Sequence, residues 1–106
     1  MRSSTQTLLA EYKSGLYRIY GKHLKNIYLF GSFARGEETI DSDVDVLIIL
    51  SDLKHYGAEI QRTSQLTSDL SLKNNITISR VFVAERNWQA MDSPLLRNVH
   101  VEGKRI

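Results

Sequence analysis

The sequence has no cysteine, one proline and six glycines in 106 residues. Without cysteine there is no disulfide framework, no thiolate metal site and no cysteine nucleophile, and the composition fits a reducing, intracellular setting. Long hydrophobic runs are missing as well. The longest, from Val44 to Leu50, is interrupted by Asp45 and falls far short of the roughly 20 residues of a membrane-spanning helix. Arg2 is followed by Ser3-Ser4-Thr5-Gln6-Thr7 rather than by the apolar stretch of roughly 7 to 15 residues that marks a signal peptide. The expectation is a cytoplasmic protein with no membrane association. Neither sign of charge dominates, because 14 Lys and Arg stand against 12 Asp and Glu for a net charge of +2. Direct nucleic-acid binding therefore has no electrostatic signature.

What is present is an ordinary folded composition, 42% hydrophobic and 25% charged, which excludes a disordered or collagenous chain. The length suits one modest core, so residues 1–106 are expected to form a single domain. Leu8, Leu9, Tyr12, Leu16, Tyr17, Ile19 and Tyr20 recur at spacings near three and four over Ser3 to Leu24. That pattern predicts an amphipathic helix capped by Ser3 or Ser4 and ended near Gly21. Asn26 to Phe30 reads as a buried strand stopped by Gly31-Ser32, and a brief helix from Ser32 to about Glu37 follows. Asp43 to Leu50 reads as a second, internal strand. A long helix from about Lys54 to Lys73, a strand from Ile76 to Ala84 and short helices near Glu85 to Met91 and after Ser93-Pro94 complete the chain. The alternation predicts an α/β fold, a small mixed β-sheet packed by helices.

One constellation carries chemistry. Gly31-Ser32 is separated by ten residues from Asp43-Val44-Asp45, four fixed positions that chance would fill in at most on the order of 1% of chains this long. Gly31 and Ser32 stand where a strand gives way to a helix, so backbone N–H groups and a hydroxyl would converge on an anion such as phosphate. The plainer alternative is a glycine turn with Ser32 as helix cap. Asp43 and Asp45, two residues apart on a strand, project from one face. Two neighbouring carboxylates repel unless a cation neutralises them, and Mg²⁺, which takes one or two protein carboxylates beside substrate phosphates, suits them. The alternative leaves one aspartate exposed and pairs the other with a lysine or arginine. Arg35 would contact phosphate or form a salt bridge with Glu38 or Asp41.

These residues resemble the nucleotidyltransferase superfamily of the DNA polymerase β type, and specifically its minimal members, the MNT antitoxins paired with HEPN toxins. The resemblance is strongest from Ile27 to Leu50, and Ser93 to Asn98 with Glu102-Gly103 is also similar to small members of the family. It implies transfer of a nucleoside monophosphate from a triphosphate to a hydroxyl, with release of pyrophosphate. Gly31, Ser32 and Arg35 would then bind the nucleotide, ATP, and Asp43 and Asp45 would be catalytic and hold the metal. It further implies a HEPN ribonuclease toxin as partner, adenylylated on a tyrosine. The family generally carries a third carboxylate on a neighbouring strand, which is expected here at Ile76 to Val83. Thr77 and Ser79 occupy the inward positions there, with no acid, and Glu85 just beyond is a candidate base. A noncatalytic antitoxin that blocks the toxin by complex formation is the alternative, and a small-molecule transferase a third. The short chain resembles the nucleotide-holding half of a site whose acceptor is gripped by a partner.

Other features are set aside. Arg18 and His23 match an Arg-x4-His spacing found in HEPN ribonucleases, but an offset of five places the side chains about 140° apart around a helix. His55 and His100 have no partner at metal-ligand spacing. Tyr12, Tyr17 and Tyr20, Trp88 and Leu95-Leu96 are expected to serve core or interface packing.

Overall fold

The computed structural model describes residues 3–106. Helix α1 (Ser3–Tyr20) buries Leu8, Leu9, Tyr12 and Leu16 on one face, as the spacing requires. Ser3 and Ser4 lie inside this helix rather than before it, and Arg2 and the Ser3 side chain are outside the described residues. A single 3₁₀ turn, Gly21–His23, follows. Strand β1 (Leu24–Phe30) starts earlier than the sequence pattern suggests, because Leu24 pairs with Leu50 across a bulge at Lys25 before regular pairing resumes at Asn26 and Ile49. Then come α2 (Gly31–Arg35), β2 (Val44–Leu50), α3 (Tyr56–Asn74), β3 (Ile78–Ala84), α4 (Glu85–Ala90), α5 (Pro94–Glu102) and β4 (Lys104–Arg105).

The four strands form one mixed sheet in the order β3-β2-β1-β4, with β1 antiparallel to both β2 and β4, and β2 parallel to β3. Strand β3 begins at Ile78 rather than Ile76 because the end of α3 claims the intervening backbone. Asn75 takes the left-handed conformation, and the Ile76 N–H donates to the Ser71 carbonyl. Strand β4 carries two exposed charged residues and no apolar alternation, so nothing in its sequence announces a strand. At α5 the sequence reading holds in detail: the Ser93 hydroxyl accepts from the Leu96 N–H at 3.2 Å, with Pro94 in the first helical turn.

Alternation along β2 sorts the core into two layers. Val44, Val46, Ile48 and Leu50 meet α1 and α3 together with Ile27, Leu29, Ile78 and Phe82. Leu47 and Ile49 face the other way, onto Trp88, Leu96 and Val99 of α4 and α5. Arg80 points into the first layer, where its Nε donates to Thr63 Oγ1 and its Nη2 to the Ile60 carbonyl, each at 2.8 Å. Tyr12 is buried there and its hydroxyl bonds Thr67 Oγ1. Leu72 of α3 is 79% exposed. Among the described residues no helix is long and apolar enough to cross a membrane.

Candidate active site

The odd-numbered residues of β2 face α4 and α5, and Asp45 stands in this row one step before Leu47. The two short helices pack over Leu47 and Ile49 and leave Asp45 half-buried at the rim, the one residue of β2 that is not fully buried. Register places Phe30 of β1 on one side of it and Ser79 of β3 on the other. Asp43 was expected to open this strand but precedes it, exposed, because β2 begins at Val44, and its charge still acts on Asp45. Val44 between them is pinned to β3, its N–H donating to the Thr77 carbonyl at 2.9 Å.

Strand β1 delivers the other half. Beyond Phe30 the chain turns at Gly31, whose φ is +73°, directly into α2. A β-carbon at Gly31 would collide with Asp45 Oδ2 and stand 3.1 Å from its Cγ. The carboxylate therefore lies directly against the first residue of α2, and Ser32 follows it, half-buried. No side chain caps this end of α2 among the described residues. The loop back to Asp43 is tied down by its own polar groups: the Glu37 N–H donates to the Ser32 carbonyl at 2.9 Å and the Thr39 N–H to Ser42 Oγ at 2.8 Å.

Partial desolvation raises the carboxyl pKa of Asp45, the repulsion of Asp43 raises it further, and the charge of Arg35 opposes both. Burial and a like charge thus meet at one carboxylate, an arrangement that a cation would relieve. The charge of Asp43 acts on Asp45, and Gly31 lies against the second of the two aspartates. Arg35 takes neither of its expected acidic partners. Its Nε contacts Glu37 Oε1 at 3.0 Å and its Nη1 contacts Glu102 Oε1 at 3.2 Å, while Glu38 lines a separate cleft. Glu102 belongs to the site's surroundings although its place in the sequence, 67 residues from Arg35, hides the contact. Its one signal is an acid in the last turn of a helix, where the macrodipole disfavours it.

Ser79 occupies the position beside Asp45 on the neighbouring strand, and Thr77 lies beyond it, exposed. Glu85 is no candidate base: it follows Ala84, which pairs with Leu50 at the far end of β2, about 16 Å from Ser79 at ~3.3 Å per residue. No group of three or more His, Cys, Asp or Glu side chains converges among the described residues. The two aspartates nevertheless match an ion that fills its remaining positions with substrate phosphates and water. A cleft of about 310 Å³, lined by Thr5, Leu8, Phe33, Glu38, Thr39 and Asn75 among others, contains neither aspartate and lies outside this arrangement.

The residues set aside by sequence stay outside it too. His23 Nδ1 meets Ser51 Oγ at 3.1 Å, and Arg18 is exposed. His100 stacks on Trp88 with ring centroids 3.7 Å apart. His55 precedes α3 without capping it through its side chain. Tyr20 donates to Glu59 at 2.8 Å, and its hydroxyl pKa is pushed well up by burial and that carboxylate.

Comparison with known proteins gives the same direction from both sequence and fold. The model of the family "Polymerase beta, Nucleotidyltransferase" matches residues 18–106. The chain is 36% identical over 74 residues to the Methanocaldococcus jannaschii protein named "Putative protein adenylyltransferase MJ0141", covering 70% of this chain and 74% of that one. It is 31% identical over 102 residues to "Putative protein adenylyltransferase MJ0604" of the same organism, covering 91% of each. Among solved structures, a toxin–antitoxin with AMP-PNP superposes with a TM-score of 0.62 at 24% identity, over 89% of this chain and 68% of that chain. A mutant of the toxin–antitoxin MntA-HpeT gives 0.59 at 26% identity, over 89% and 68%.

Proposed function

Because the chain belongs to the polymerase beta nucleotidyltransferase family, we propose that it transfers AMP from ATP to a tyrosine hydroxyl of a HEPN ribonuclease toxin and so acts as its antitoxin. The observation that carries this reading is the contact of the Asp45 carboxylate with Gly31, which joins the acidic strand face to the head of α2. Two relatives named as protein adenylyltransferases and structural likeness to toxin–antitoxin proteins support the reaction and the partner. Residues 1–106 act in this reading as one minimal nucleotidyltransferase domain.

Gly31 and Ser32 hold the triphosphate through backbone N–H groups and the serine hydroxyl, and Arg35 adds charge from the other end of α2. Asp43 and Asp45 hold Mg²⁺, which when bound neutralises charge on the phosphates and orients them. The toxin's tyrosine oxygen attacks the α-phosphorus, and the bond from that phosphorus to the pyrophosphate oxygen breaks. Pyrophosphate leaves with the bonding electrons, in line with the incoming oxygen. Ser79 is no carboxylate base, so in this reading the hydroxyl is deprotonated with the help of a bound metal ion or a side chain of the toxin. A tyrosine hydroxyl, with a reference pKa near 10, makes this lesser demand possible where a sugar or serine hydroxyl would not.

Ser79 favours one competing reading, a noncatalytic antitoxin that blocks the toxin by complex formation. ATP labelled at the α-phosphate, Mg²⁺ and the cognate toxin separate the two. Label on the toxin is the expected result. A stable complex without label would overturn transfer and establish blocking.

A further inference from the structure

Glu102 is the last residue of α5, where a negative charge faces the negative end of the helix dipole. Its carboxylate is answered by Arg35 Nη1 at 3.2 Å. The backbone then leaves the helix in an extended conformation at Gly103, whose N–H donates to the Val99 carbonyl at 2.8 Å and which admits no side chain: a β-carbon there would stand 2.5 Å from the Val99 carbonyl oxygen. Directly after it, Lys104 and Arg105 pair with Leu29 and Tyr28 of β1, one residue before Phe30 and Gly31. The C-terminal segment thus grips the site twice, through the strand that delivers Gly31 and through the arginine that closes α2.

Arg35 has five N–H donors in a planar fork. Glu37 and Glu102 hold its Nε and Nη1 edges, and among the described residues nothing hydrogen-bonds its Nη2. Its charge is felt at Asp45. We propose that Glu102 is a positioning residue: held by the close approach of Gly103 to Val99 and by β4, it fixes the Arg35 guanidinium so that the free Nη2 edge is presented to the triphosphate of the nucleotide. Glu37, 62% exposed against 35% for Glu102, supplies charge from the more solvated side, on a loop bonded to α2 itself at the Ser32 carbonyl. The proposal rests on the nucleotide reading above.

The test is ATP binding by calorimetry, with steady-state transfer to the toxin, in the full chain and in E102Q, E37Q and R35A. E102Q should raise the ATP Kd and KM about fivefold, the loss expected when a charge-assisted contact gives up its preorganisation, with kcat little changed. R35A should weaken binding at least as much, and E102Q should add little to it. E37Q, with the same change of charge, should shift Kd less than twofold. Unchanged or tighter binding in E102Q, or an equal loss in E37Q, would overturn the proposal while leaving the nucleotide reading intact. A wild-type chain that binds no ATP would overturn both.

Discussion

The Oδ2 atom of Asp45 occupies the space in which a β-carbon of Gly31 would stand. The end of β1 and the start of β2 are thereby packed backbone against carboxylate. Gly31→Ala meets two penalties, a left-handed φ of +73°, which costs an L-residue roughly 1–2 kcal/mol, and displacement of Asp45. The expected outcome is a loss of that order in chemical denaturation, together with loss of label transfer. A variant that loses stability but transfers normally would show that Asp45 need not rest on the α2 head.

Removing either carboxylate separates catalysis from folding. Asp43→Asn and Asp45→Asn should each abolish transfer of the α-phosphate label, and unchanged labelling would refute the site. Stability should move the other way for Asp45→Asn. The folded-state pKa of Asp45 lies above its ordinary value, through desolvation first and Asp43 second. Its contribution to stability is thus complete below the unfolded pKa, near 3.9, and is lost as pH rises through the folded pKa. In metal-free buffer the Asn variant should therefore melt higher than wild type at pH 7, with the difference closing below about pH 4. Equal melting temperatures across that range would count against the repulsion.

Ser79 is the paired residue beside Asp45 on β3. Restoring an acid there tests whether proton removal limits the reaction. Ser79→Asp should raise the Mg²⁺-supported transfer rate at least about tenfold, below the 10²–10⁴ typical of a well-placed base, and should lower metal-free stability by adding a third like charge. Ser79→Ala should leave the rate where it is. A slower Ser79→Asp enzyme would mean that the proton already has an adequate acceptor.

On the opposite face, Arg80 donates to Thr63 and to the Ile60 carbonyl. Arg80→Ala should cost roughly 2–4 kcal/mol in urea unfolding, as two charge-assisted bonds to part-buried acceptors are lost. At a temperature where the variant stays folded, ATP binding should be unchanged. Weaker ATP binding by the folded variant would tie this face to the site.

How far the sequence reaches differs from residue to residue. The alternation of Val44 to Leu50 was sufficient to sort β2 into two faces with Asp45 in the row of Leu47 and Ile49, since side-chain direction in a strand is local geometry. The same holds for Ser93 before Pro94, and for the strand end at Gly31. Strand β4 was not legible: Lys104 and Arg105 carry no pattern, and only the open edge of β1 makes them a strand. The distance of Glu85 from the site was equally hidden, since it depends on the parallel register of β3 against β2.

By itself the sequence determined the alternating elements and the buried faces of α1 and β2, because these follow from periods of 3.6 and 2 within a single segment. Tertiary structure decided which residues from distant segments meet. Gly31 rests on Asp45, Ser79 takes the place beside it, and Arg35 turns from its near neighbours Glu38 and Asp41 to Glu37 and to Glu102, 67 positions away. These contacts depend on strand order and register, which are set by the burial of both sheet faces at once and not by any one stretch of the chain.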